Sequence, residues 1–425
     1  MTDLSREAAL ALDAADPLAP LRDQFDIPAG LIYLDGNSLG VLPRATPARV
    51  QQVVQQEWGR GLIGSWNSAG WIALPQRVGD KIARLVGAGA GELVCADSTS
   101  VNLFKVLSAA LAIAQADAPQ RRVILSERSN FPTDLYVAEA LARERGYTLA
   151  LADTDDIPAR LDDSVAVLML THVNYRSGRM HDMAALSTAA HAVGALTVWD
   201  LAHSAGAVPV DLTNHGADFA VGCGYKYLNG GPGAPAFVWA HPRHADRFWQ
   251  PLAGWMGHAA PFEFTPGYRP AAGIARYLCG TPAVLAMAAL DCGVDTVLAA
   301  EPLGGLAALR AKSLALTTLF ADLVESRCSG HGLALASPRD EAERGSQVCL
   351  SRADGAYAIV QALIARGVVG DYRAGGVDLP DILRFGFTPL YTRFVDAWDA
   401  AEQLRQVLEC GDWRRAEFNR RHAVT

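Results

Sequence analysis

The chain has 425 residues, 50% of them hydrophobic and 19% charged, with a formal net charge of −8. That length allows two or three domains, and the composition is that of a globular chain with ample core. The charges are spread without a basic stripe, which excludes a nucleic-acid binder. The polar, acidic start Met1-Thr2-Asp3-Leu4-Ser5-Arg6-Glu7 lacks a secretory pattern. No uninterrupted apolar run approaches the ~18 residues of a bilayer span, so no membrane association is expected. The seven dispersed cysteines form no Cys-x-x-Cys pair. This argues against a disulfide framework and a zinc site, leaves no metal expected, and suits a reducing cytoplasm.

In chain order, the pattern gives a helix over Leu4 to Ala14, then a short helix ending near Ile27-Pro28 and a strand at Leu31 to Leu34. The strand runs into the polar loop Asp35-Gly36-Asn37-Ser38-Leu39-Gly40. A helix follows Pro43, with Val50, Val53, Val54 and Trp58 on its apolar positions, and Trp66 and Trp71 lie among glycines and serines. From about residue 92, strands and helices alternate. The strands are Leu93–Ala96, Val123–Ser126, Val165–Thr171, Leu196–Asp200, Phe219–Gly222 and Ala236–Trp239; the helices are Val101–Ala114, Thr133–Arg145 and Asp182–Val193. Apolar runs between amphipathic helices imply a mostly parallel sheet covered on both faces. Ligands of such sheets bind beyond the carboxyl ends of the strands, where Asp200 falls. After residue 300 come a long helix (Leu303 to Glu325), short strands (Leu333–Ala336, Gln347–Ser351), a helix (Tyr357–Arg366), strands (Val368–Tyr372, Ile382–Phe387) and a last helix (Thr392–Leu408). The expected division is 1–60 as a segment packing with the small domain, 61–300 as the large domain and 301–425 as a small α/β domain.

The chemistry gathers around Lys226. It stands between Tyr225 and Tyr227 in a glycine-rich stretch with no other charge from Val221 to Ala240, a poor setting for a surface lysine. Asp200 closes an apolar strand upstream, and His203 follows three residues later, one turn on if the segment is helical. A strand-end acid and a downstream lysine are what a protein needs to hold pyridoxal phosphate: the lysine forms the Schiff base, and the acid keeps the ring nitrogen protonated. Taken singly, each residue has a plainer reading, as a cap, a salt-bridge partner or a half-buried histidine. Thr99 and Ser100, in Asp97-Ser98-Thr99-Ser100-Val101-Asn102, open a helix and are either phosphate ligands or simple caps. Phe131, in Phe131-Pro132-Thr133-Asp134, either stacks on a ring or is a buried residue at a helix entry. Trp255 reads as core or interface as readily as ligand. Arg384, within Asp381-Ile382-Leu383-Arg384-Phe385-Gly386-Phe387, needs an anionic partner, either a structural carboxylate or a substrate's α-carboxylate.

With these residues in hand, the chain resembles the kynureninases, within the fold type I (aspartate-aminotransferase-like) pyridoxal-phosphate enzymes. The resemblance rests on Gly-Asn-Ser-Leu-Gly (36–40), Phe-Pro-Thr-Asp (131–134), Trp-Asp-Leu-Ala-His (199–203), Tyr-Lys-Tyr-Leu-Asn-Gly-Gly (225–231), Gly-Trp-Met-Gly-His (254–258) and Arg-Phe-Gly-Phe-Thr-Pro-Leu-Tyr (384–391). It implies an α/β fold with a large, mostly parallel, seven-stranded sheet domain and a smaller α/β domain. It implies hydrolysis of L-kynurenine to anthranilate and L-alanine, in tryptophan breakdown or NAD synthesis, with 3-hydroxykynurenine a poorer substrate because Trp66 and Thr281 replace more polar groups. Lys226 would be the Schiff-base lysine, Asp200 the partner of the ring nitrogen, and Tyr225 a proton donor or acceptor. Thr99, Ser100, Tyr225, Trp255 and Thr281 would bind phosphate, the last two from the second subunit of a homodimer that shares its active sites. Phe131, Asp134, Thr171 and His203 would make further cofactor contacts. Arg384, with Trp66, Asn37 and Ser38, would bind substrate. A cysteine desulfurase or class-V aminotransferase-like enzyme is the competing expectation. A desulfurase would need a nucleophilic cysteine on a mobile loop, for which Cys328 is the one candidate.

Overall fold

A computed structural model describes residues 4–376 and 379–421, and the chain falls into two compact units. One comprises 45–174 and 181–295; the other comprises the described residues of 1–44, 175–180 and 296–425.

The first of these is built on a seven-stranded sheet in the order Leu93–Ala96, Ala236–Ala240, Phe219–Gly222, Leu196–Asp200, Val165–Thr171, Val123–Glu127, Thr148–Ala152. Only Ala236–Ala240 runs antiparallel to its neighbours. Two antiparallel steps restore direction, so Leu93–Ala96 ends at the same edge as Leu196–Asp200. The edge strand Thr148–Ala152 does not stand out in the sequence: its Thr-Leu-Ala-Leu-Ala lacks β-branched and aromatic density. The helix Leu74–Val86, also absent from the pattern reading, carries Pro75 in its first turn and ends on Gly87 in the left-handed region.

The helix Thr99–Asp117 is longer than expected. Its 19 residues are apolar enough by composition to cross a bilayer. Asn102, Lys105 and Ser108 break the uninterrupted run and hid this length. Most of the helix is buried, with Leu103, Val106, Leu107 and Ala110 in the core against sheet residues such as Val198 and Phe219. At the amino end of the sheet, buried Asp218 accepts hydrogen bonds from Thr197 N (2.8 Å), His191 Nε2 (2.8 Å), His244 Nε2 (2.7 Å) and Arg243. Burial alone would raise this carboxyl. The donors outweigh burial and hold it well below the usual range, joining two central strands at the edge away from Asp200.

The second unit has a four-stranded antiparallel sheet in the order Asp371–Arg373, Asp381–Gly386, Gln347–Arg352, Ala334–Leu335, and a small parallel pair, Ile32–Tyr33 with Val368–Val369. The single strand expected over Val368–Tyr372 is therefore two. Gly370 separates them, and a Cβ there would lie 2.8 Å from the Phe385 ring. Helices Arg6–Ala14, Gly305–Arg327, Ala356–Ala365 and Phe394–Cys410 cover the sheet around Leu316, Phe320, Phe385 and Leu404. Ala9 and Leu34 belong to this core, which is why the N-terminal segment groups with the C-terminal third.

Candidate active site

Three neighbouring strands deliver their last residues to one edge of the seven-stranded sheet. Asp200 ends Leu196–Asp200, directly opposite Thr171, which ends Val165–Thr171. Beyond Val123–Glu127 the chain turns through Asn130 to Phe131 and enters the helix Pro132–Arg145, with Asp134 in its first turn. Asp200 is 4% exposed and accepts the Ala202 N–H at 2.7 Å. Burial pushes its carboxyl up, and the charge of Lys226 pulls it back. Asp134 is equally buried; burial first, then the negative charge of Asp200, raises its carboxyl well above the usual range. Both carboxyls are therefore raised, and each acts on the other across the sheet edge.

Lys226 Nζ lies 3.0 Å from His203 Nε2 and 5.6 Å from the centroid of the Tyr225 ring. The loop that carries it is fixed by its backbone: Asn229 N donates to Lys226 O and Gly230 N to Gly224 O, both at 2.9 Å. A Cβ on Gly224 would fall 2.4 Å from Pro235 O, so only glycine allows this approach. The segment carrying His203 is not helical, so the one-turn spacing from Asp200 does not apply. Residues 202–207 form a run of turns, with Ser204 N and Ala205 N both bonded to Leu201 O.

Thr99 and Ser100 begin the helix that Ser98 caps by accepting the Val101 N–H. One first-turn donor is thereby used, and the Thr99 and Ser100 N–H groups remain at the helix end, at the same sheet edge. The preceding Asp97 sits at φ 47°, an unusual conformation for a non-glycine residue. It is held there by fully buried Lys105, whose Nζ also donates to Tyr277 O at 2.6 Å. Phe131 is 41% exposed, so its ring is open rather than buried. Its N–H donates to Asn130 Oδ1 at 2.7 Å, and Thr171 Oγ1 bonds the same oxygen.

Trp255 packs edge-on to Trp66, with centroids 5.7 Å apart, and Trp66 in turn meets Trp71 at 6.3 Å. Thr281 is exposed.

The remaining candidates lie in the other unit. Arg384 is 1% exposed. Its Nε donates to Asp371 Oδ1 (2.8 Å), its Nη2 to Ser38 Oγ (2.7 Å) and to Asp371 Oδ2, and its Nη1 to Tyr175 O (2.8 Å). The structural carboxylate foreseen as one option is therefore present. Asn37 is buried against the same strand. Its Oδ1 would stand 2.0 Å from a Cβ on Gly386, so this glycine admits the 35–40 loop onto the strand's end. Asn130, Lys105, Asp371 and Arg373 were not singled out from the sequence. Asn130 carried a signal in its place directly before Phe131; the others gave none.

Among the described residues, no group of three metal-ligating side chains lies together. The model of the kynureninase C-terminal domain matches residues 309–404. A kynureninase of Burkholderia pseudomallei (strain 1106a) is 58% identical over 424 residues, 99% of this chain and all of that protein. Among solved structures, the apo cysteine desulfurase of Thermococcus onnurineus NA1 superposes with a TM-score of 0.76 at 18% identity, covering 92% of this chain and 96% of that one. C-DES with glycine covalently linked to its PLP cofactor gives the same TM-score at 16% identity, covering 92% and 98%.

Proposed function

The chain belongs to the kynureninase family, and from that premise we propose that it uses pyridoxal 5'-phosphate to hydrolyse L-kynurenine to anthranilate and L-alanine. The observation that carries this reading is the buried Asp200 at the sheet edge, beside buried Asp134 and within the field of Lys226.

The residues fit the cofactor. A buried carboxylate facing Lys226 suits a further positive partner, which a protonated ring nitrogen would provide. The open helix start at Thr99 and Ser100 suits a phosphate, and the exposed Phe131 ring suits a stacked pyridine. Thr171 and His203 would make further contacts to that ring. When bound, the cofactor supplies an electron sink for the substrate's α-carbon. Lys226 would hold the cofactor's aldehyde and later move the α-proton, with His203 at 3.0 Å orienting its amine. Asp200 would hold the ring proton, and Asp134 would steady Asp200 by donating to it. Water would add to the γ-carbonyl, the Cβ–Cγ bond would break to release the acyl part as anthranilate, and the β-carbon would take a proton. Burial raises the Tyr225 phenol, so at neutral pH it is a proton donor. Tyr225→Phe is accordingly expected to lower kcat by roughly 10²-fold; full turnover in pre-steady-state assays would remove Tyr225 from the chemistry.

Arg384, with Asn37 and Ser38, is the carboxylate site of this reading. Trp66, packed among Trp71 and Trp255, presents an apolar wall that favours the unsubstituted ring over 3-hydroxykynurenine. Trp255 and Thr281 would act across a homodimer. Supporting this, Thr281 is exposed beside an apolar cavity of about 460 Å³ lined by Val53, Trp58, Trp71, Pro282 and Leu285, and Trp58 and Ile63 are 59% and 81% exposed.

The desulfurase alternative is not favoured by its one candidate nucleophile: Cys328 caps the helix Gly305–Arg327, is 2% exposed, and burial pushes its thiol up to about 11. The direct test is anthranilate fluorescence from the purified, cofactor-loaded protein. We expect product from L-kynurenine, a higher kcat/KM than with 3-hydroxykynurenine, and sedimentation as a dimer. Equal kcat/KM values would overturn the substrate preference, an active monomer the shared site, and no anthranilate the function itself.

A further inference from the structure

The charges around Arg384 do not end with Asp371. On the strand Asp371–Arg373, alternate side chains share a face, so Asp371 and Arg373 project together. Asp371 is directly opposite Arg384 on the neighbouring strand, which brings the second arginine to the same face. Asp371 Oδ2 accepts from both guanidiniums, at 2.7 Å from Arg373 Nη2. Ser38 Oγ lies between the same two groups, 2.7 Å from Arg384 Nη2 and 3.5 Å from Arg373 Nη2, and donates to Asp371 Oδ2 at 2.8 Å. One neutral oxygen thus stands where two cations converge. Arg384 is sealed, whereas the Arg373 side chain keeps 32% of its exposure. The partly open guanidinium is the one to which the sequence gave no role.

Resting on the reading of Arg384 as the carboxylate residue, we propose that Arg373 and Arg384 form one two-guanidinium site for the substrate's carboxylate. Asp371 is its positioning residue, Ser38 Oγ marks the place of one carboxylate oxygen, and Asp35 is the acid that takes up a proton when the anion arrives. Asp35 follows the strand Ile32–Tyr33, and its Oδ1 is buried without a hydrogen bond. The groups facing it are Asp371 and Arg373 on one strand, Arg384 on the next, Ser38 in its own loop, and the phenols of Tyr33 and Tyr391, which burial raises and keeps neutral. Burial, then the charge of Asp371, pushes the Asp35 carboxyl up to about 7, and Arg384 opposes the rise. Below that pH, Asp35 is neutral and the two arginines exceed Asp371 by one charge, so an anion is attracted. As pH rises through about 7, Asp35 ionises, the excess vanishes and anion binding weakens.

The test uses the cofactor-loaded enzyme, with steady-state kinetics on L-kynurenine and calorimetric titration of L-alanine. Arg373→Gln is expected to raise KM and the L-alanine Kd about tenfold, the change falling on KM rather than kcat, with Arg373→Lys recovering part of it. The wild-type L-alanine Kd should increase from pH 6 to 8, with proton uptake visible as a dependence of the binding heat on buffer ionisation. Asp35→Asn should flatten both signals. Affinities within twofold of wild type in Arg373→Gln, or a wild-type pH profile in Asp35→Asn, would overturn the proposal. Arg384→Gln separates the layers: if it too leaves L-alanine affinity unchanged, the carboxylate reading has failed; if it weakens binding while Arg373→Gln does not, only the two-arginine site has.

Discussion

Lys226→Ala should abolish anthranilate formation, by on the order of 10⁴-fold or more, while leaving the fold in place. The variant lacks the amine that would hold the cofactor and move the α-proton. The loop itself survives because it is set by backbone bonds and by Gly224 and Gly230, none of which involves the lysine side chain beyond Cβ. Single-turnover fluorescence, with circular dichroism of the same sample, checks this. A variant retaining more than a few per cent of wild-type turnover would show that another group does the work. Partial recovery with a small added primary amine would place the defect at the missing Nζ rather than in a displaced loop.

Asp200→Asn separates activity from stability. The asparagine side-chain oxygen can still accept the Ala202 N–H, and its amide can meet Asp134, so packing is preserved. The charge that would hold the ring proton is gone, and kcat should fall on the order of 10³-fold. Stability should move the other way in the cofactor-free protein. A carboxyl whose folded value is raised costs the native state increasingly as pH climbs from the unfolded value towards the folded one. Removing it therefore leaves Tm at pH 7 unchanged or higher. A cofactor-free variant that melts well below wild type would show that Asp200 is chiefly structural, and undiminished kcat would end its role at the ring.

The parts legible in the sequence were those written in short range. Val165–Thr171 and Leu196–Asp200 announce themselves as apolar runs, and both are buried throughout or nearly so, because central parallel strands are covered on two faces. Asp200, Lys226 and Tyr225 stood out because charge and hydroxyl interrupt those apolar surroundings. What remained hidden depends on distant pairing. Arg384 was seen to need an anion, yet Asp371 could not be named, because the register that sets them opposite one another is fixed across an intervening loop. Lys105 gave no signal in the sequence, because Asp97 and Tyr277 O meet its amine only in the folded chain. The edge strand Thr148–Ala152 owes its conformation to its partner Val123–Glu127 rather than to its own residues.

The grouping of the N-terminal 44 residues with the C-terminal third has a consequence for biosynthesis. The helix Arg6–Ala14 packs on Phe394–Cys410, which leaves the ribosome roughly 380 residues later. At cellular elongation rates that is a wait of ~20 to 80 s. During it the sheet unit, nearly continuous in sequence between 45 and 295, can complete itself, while Ala9 and Leu34 have no core to enter. The helix Arg6–Ala14 and the strand Ile32–Tyr33 are therefore unsheltered while most of the chain is made, and the helix Phe394–Cys410 closes the unit that they began.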